Sequence, residues 1–83
     1  MFSDAQATAI AAVVAQYAKI KGAYAETMLQ GIAHYYADSG IETDAHAAND
    51  ATLHETVIAK LAAIAGDDIE DAAIYAAQLE DAL

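Results

Sequence analysis

With 83 residues, the chain has the size of one small domain, and chains this short bury only about 60% of their unfolded surface. A net charge of −10, with three lysines and no arginine, excludes direct nucleic-acid binding, because displacing counterions from phosphates needs several cations, and the same charge disfavours an anionic lipid surface. The absence of cysteine excludes disulfides and thiolate metal sites.

Ala fills 24 positions, whereas Ile, Leu, Val and Phe together fill 17. Ala favours helix but contributes little buried area, so a helical protein with a thin core is expected. The charge is unevenly placed. Residues 1–37 carry Asp4 and Glu26 against Lys19 and Lys21, while residues 38–83 carry eleven acids against Lys60. No stretch reaches the roughly 18–20 apolar residues of a membrane span. The start lacks the basic residues of a signal peptide, although Ala23-Tyr24-Ala25 has small-x-small spacing. A cytoplasmic protein, or one assembled into a particle, is the expectation.

Residues 4–37 hold the strongest pattern. Ile10, Val14, Tyr17, Tyr24, Met28, Ile32 and Tyr35 recur at steps of three, four and seven, which keeps one helical phase throughout. Ser3 and Gln6 have the spacing of a capping box, Asp4 suits the positive helix end, and Phe2 is placed as the outer half of a staple. One arc of the wheel collects these large residues with Val13, Ile20, Leu29 and Tyr36. The other arc, with Thr8, Ala12, Ala15, Gln16, Lys19, Glu26, Gln30, Ala33 and Ala37, is only weakly polar. Lys21 falls inside the apolar arc and Gly22 follows it. The helix either continues with a kink at Gly22 or breaks in two there. Equal phase on both sides favours one long helix of roughly 50 Å. Asp38-Ser39-Gly40 marks its end.

Residues 40–52 form the main connection. A second helix can start at Thr43, at Asn49 or Asp50, or at Thr52, where Thr52 and Glu55 form another capping box that favours the late start. Leu53, Val57, Ile58, Leu61 and Ile64 give it a stripe, and Gly66 ends it. Asp67-Asp68 then reads as a dipole-compensating start for a last helix over 68–82. That helix is expected to bury Ile69, Ala72, Ala73, Ala76, Leu79 and Leu83 and to expose Glu70, Asp71, Gln78 and Asp81, with Ile74 on the polar side. The fold class is therefore all-α: a long N-terminal helix with two shorter helices folding back, as a helical hairpin or three-helix bundle in a single domain over 1–83.

Chemistry-bearing patterns are sparse. Only Ser3 and Ser39 offer serine nucleophiles, Ser3 is needed as a cap, and no Gly-rich phosphate loop is present. No catalytic residue and no cofactor are expected, and an enzyme is not. An early second-helix start would put His46, Asp50 and His54 at i, i+4 and i+8, a spacing suited to a divalent metal; His34 and Asp38 are a second such pair. The Glu-x-x-His pattern of di-iron bundles is absent, and exposed His and Asp near a turn is the plainer reading.

Composition of this kind is common among small phage-encoded and accessory bacterial proteins. The leading expectation is a non-enzymatic assembly or interaction subunit, such as a virion or filament component. Two poor covering helices would leave its Tyr-rich face in need of a partner. Self-association would then run through Val13, Tyr17, Ile20, Tyr24, Met28, Ile32, Tyr35 and Tyr36. The alternative is a small acidic regulator that mimics nucleic acid and binds a basic protein surface through Asp67, Asp68, Glu70, Asp71, Glu80 and Asp81. A metal-binding bundle is the third.

Overall fold

Ser3 starts the first helix in the way its spacing requires. Its hydroxyl accepts from the Gln6 N–H at 3.1 Å, and the Gln6 side chain accepts from the Ser3 N–H at 3.0 Å, closing the capping box. In the computed structural model the backbone is described for residues 2–21, 26–37 and 43–83, and side chains for residues 2–21, 26–36 and 52–83. The described residues form four α-helices: α1 (Asp4–Tyr17), α2 (Met28–Ala37), α3 (Thr43–Ala65) and α4 (Ile69–Asp81), with a 3-10 turn at Gly66–Asp68 before α4. Among the described residues no strand occurs, and none of the helices is long and apolar enough to cross a membrane. The fold class is all-α, a helical bundle.

The single long N-terminal helix is not what forms. A helix of 34 residues would exceed the molecule's longest dimension of 33 Å. Helix α1 stops at Tyr17; Ala18 turns extended, with ψ of 141°, and Lys19 takes a left-handed φ of 66°. The Ile20 carbonyl then accepts from the Met28 N–H at 2.8 Å, and Lys21 bridges antiparallel to Thr27. The proposed kink at Gly22 lies outside the described residues. Thr27 caps α2: its hydroxyl accepts from the Gln30 N–H at 3.2 Å, and its carbonyl accepts from Gly31 N–H at 2.9 Å. The break lets two short helices fold onto the same core, which one straight helix with Ala-rich partners could not do.

The core comes from all four helices. Ile10, Val13, Val14 and Tyr17 of α1 meet Met28, Leu29, Ile32 and Ala33 of α2, Val57 and Leu61 of α3, and Ala72, Ala73 and Ala76 of α4. Helix α2 packs most extensively on α4, and α1 lies against both α3 and α4. The three alanines are fully buried, so α4 offers a small-residue face that neighbouring backbones can approach closely. Gln6 also ties the start of α1 to the end of α3, its side-chain amide donating to the Ile64 carbonyl at 3.3 Å. Leu83, expected inside, is 73% exposed because α4 ends at Asp81 and the chain leaves the stripe.

Helix α3 begins at Thr43, not at Thr52. Thr52 is interior, and its carbonyl accepts the Thr56 hydroxyl at 2.7 Å, an ordinary mid-helix bond for Thr. Gly66 does end α3, with φ of 57°, a conformation that favours Gly.

The largest departure is Glu80. It continues the stripe of Ala72, Ala73 and Ala76 and is fully buried. One carboxylate oxygen accepts the Lys19 backbone N–H at 2.8 Å; the other accepts the Thr27 hydroxyl at 2.5 Å. The Lys19 ammonium donates to the Glu80 carbonyl at 3.4 Å. A carboxylate taken out of water is costly unless its oxygens are bonded, and here both are. Glu80→Leu keeps bulk but strands both donors, and is expected to destabilise the fold by about 2–4 kcal/mol in urea unfolding. Glu80→Gln, retaining one carbonyl acceptor, is expected to cost about half as much. A Glu80→Leu variant as stable as the parent would show that the carboxylate does not hold the bend. Lys19→Gly preserves the backbone donor and relieves the positive φ, so its unfolding free energy should fall below the parent's by no more than about 0.5 kcal/mol.

Candidate functional site

The proposed interface residues belong mostly to the chain's own core. Val13, Tyr17, Met28 and Ile32 are buried, and Ile20, Tyr35 and Tyr36 are half-buried; Tyr24 lies outside the described residues. Tyr35 and Tyr36 pack edge to face, with centroids 4.8 Å apart. The described residues of that stripe are thus buried or half-buried within one chain, because α2 turns back where a long helix would have run on.

The histidines do not assemble a metal set among the described residues. His54 is buried in the face α3 turns inward. The early start does place His46, Asp50 and His54 in one helix, but the side chains of His46 and Asp50 lie outside the described ones. His34 sits on the surface with Nδ1 2.8 Å from Glu26 Oε1; its expected companion Asp38 also lies outside.

Of the six acids placed on the surface from the sequence, five are exposed and one is buried. Asp67 and Asp68 in the 3-10 turn, and Glu70 and Asp71 in the first turn of α4, are all exposed. Asp68 makes no side-chain capping bond at the start of α4, so these carboxylates complement the positive helix end through proximity and keep their oxygens toward solvent. Asp81 is exposed and accepts from the Gln30 side-chain amide at 3.0 Å. Glu80, placed with them from the sequence, is not on the surface at all: it faces the core and holds Lys19 and Thr27.

Beside these acids the start of α1 lies against α4. Phe2, placed as a staple, packs on Tyr75 with ring centroids 5.9 Å apart and planes 32° apart. Next to this pair a cavity of about 420 Å³ is lined by Phe2, Ala7, Asp68, Asp71, Ile74, Tyr75 and Gln78. The volume falls within the range of small binding sites, which typically combine apolar walls with a few polar groups. Ile74, expected on the polar side of α4, is half-buried here and supplies part of the wall. The cavity was not visible in the sequence because it joins residues from opposite ends of the chain. Its one local trace was the i, i+3, i+7, i+10 spacing of Asp68, Asp71, Tyr75 and Gln78. No family model matches the chain, and no curated protein or solved structure matches it either.

Burial, and secondarily the neighbouring Tyr35, raises the Tyr36 hydroxyl above its ordinary pKa of 10.0. The fold therefore holds the Tyr36 proton where the unfolded chain releases it. The linked stability is complete below the ordinary value and is lost as pH rises through the folded one. Tyrosinate absorbance should show a late-titrating component that Tyr36→Phe removes. Persistence of the late step in that variant would assign it to another tyrosine.

Proposed function

We infer that this chain is a non-enzymatic binding module that docks on a basic protein surface through the acids of the 3-10 turn and α4. The observation that carries this reading is the exposed run of Asp67, Asp68, Glu70 and Asp71, with which no cation pairs among the described residues. Four carboxylates within five positions give a dense negative patch on a rigid element. Such patches steer and orient a positively charged partner more than they add raw affinity.

The module reading is preferred to a self-assembling subunit, whether of a virion or a filament, because that reading depended on an uncovered Tyr stripe. Among the described residues the one large apolar side chain that is mostly exposed is Leu83, which is too little to bind subunits together.

The test compares two doubly neutralised chains. Asp67→Asn/Glu70→Gln removes charge from the patch, while Glu26→Gln/Glu55→Gln removes the same charge elsewhere, before α2 and on α3. In affinity capture from the source cells, a basic protein should be retained by the parent and the second variant, released by moderate salt, and lost from the first. Capture that ignores both salt and Asp67→Asn/Glu70→Gln would end this reading. Light scattering should give the 8.6 kDa monomer, and a defined oligomer would return the assembly reading to first place.

A further inference from the structure

We propose that the cavity between Phe2, Ala7 and α4 receives an arginine side chain of the basic partner. This rests on the docking reading above and identifies its anchor. Three features of the lining match arginine chemistry together. Asp68 and Asp71 offer carboxylates one helical turn apart, suited to the planar fork of a guanidinium. The Phe2 and Tyr75 rings, packed on each other, also line the cavity and supply aromatic surface for cation–π attraction. Ala7 and Ile74 offer apolar contact for the methylene stem, and the Gln78 amide oxygen is a further acceptor.

Other occupants fit less well. A purely apolar side chain would bury carboxylates without pairing them, and an anion would be repelled by both. A lysine ammonium satisfies the charge but uses neither the fork geometry nor the aromatic surface as fully. The chain has no arginine of its own, and none of its lysines lines the cavity. Lys19 is engaged at the Glu80 carbonyl, Lys21 stands at the bridge to Thr27, and Lys60 is on α3. Charge complementarity therefore points outside the molecule.

The experiment is a nitrogen-15 NMR titration of the full chain with three probes. These are acetyl-Ala-Arg-Ala-amide, the same peptide with Lys, and the same peptide with citrulline, which keeps the shape of arginine without its charge. The arginine peptide should shift amides confined to residues 2–7 and 68–78, with a dissociation constant on the order of millimolar. It should bind at least about fivefold more tightly than the lysine peptide, and citrulline should give no saturable shift. Ala7→Leu fills the cavity without touching charge, and Asp71→Asn removes one carboxylate. Each should weaken arginine binding by about fivefold or more, and Ala7→Leu should also weaken partner capture. Thermal melting checks that both variants are folded.

Equal binding of arginine and lysine peptides, or shifts spread over all the acids, would overturn the anchor. Capture and peptide binding unchanged in Ala7→Leu would overturn it too, while leaving acidic docking intact. Failure of docking itself would be read separately, as capture that survives Asp67→Asn/Glu70→Gln.

Discussion

The bundle depends on one buried carboxylate. Glu80 accepts from the backbone N–H just beyond the end of α1 and from the hydroxyl that caps α2, so one side chain of α4 stabilises the exit from one helix and the entry to the next. A thin, Ala-rich core gives many near-equivalent ways to slide helices past one another, since alanine faces present little relief. A buried acceptor with two specified donors discriminates among them, because any shift in register leaves a charged oxygen or a donor unpaired. The left-handed Lys19 is tolerated for the same reason: its strain of about 1–2 kcal/mol is offset by a hydrogen bond to a charged group, worth about 1.5–3 kcal/mol.

Much of this was legible, and what was missed has physical causes. The Ser3-x-x-Gln6 box, the stripe of Val57 and Leu61, the stop at Gly66 and the outward Glu70, Asp71 and Gln78 follow from local rules that tertiary structure left undisturbed. The break after Tyr17 was masked by a coincidence of phase. Residues 10–17 and 28–36 share a register because both helices face one core, not because they belong to one helix. Thr27-x-x-Gln30 had the same capping spacing as Ser3-x-x-Gln6, and it marks the true start of α2. Thr52-x-x-Glu55 has it too and caps nothing, since α3 is already running there. Capping spacing thus accompanies the starts of α1 and α2 but does not by itself mark a start, since α3 and α4 begin without it.

Glu80 shows the same competition from the other side. Helical spacing from Ala72 and Ala76 puts it on the buried stripe, whereas charge alone argues for solvent. Spacing prevailed because two donors at a distant bend could satisfy both oxygens, a circumstance that composition cannot reveal. The remaining acids had no such donors and stayed outside. Helix α4 is consequently two-sided, with alanines and one bonded glutamate inward and carboxylates with an aromatic ring outward. The candidate site sits at the edge of the outward side, where Phe2 is held in place by the capping of α1.

The Lys19–Glu80 contact also bears on the order of folding. Its partners are 61 residues apart, and the Thr27–Glu80 contact spans 53, so the bend between α1 and α2 is closed by residues made much later than itself. Until the last turn of α4 is present, the Lys19 N–H and the Thr27 hydroxyl lack the carboxylate that accepts from both, and only local bonds hold the bend. Helical bundles usually fold through local contacts and fold fast. Here the decisive contact is among the most distant in the chain, so topology sets its rate and the helices are expected to dock as one concerted step rather than in sequence.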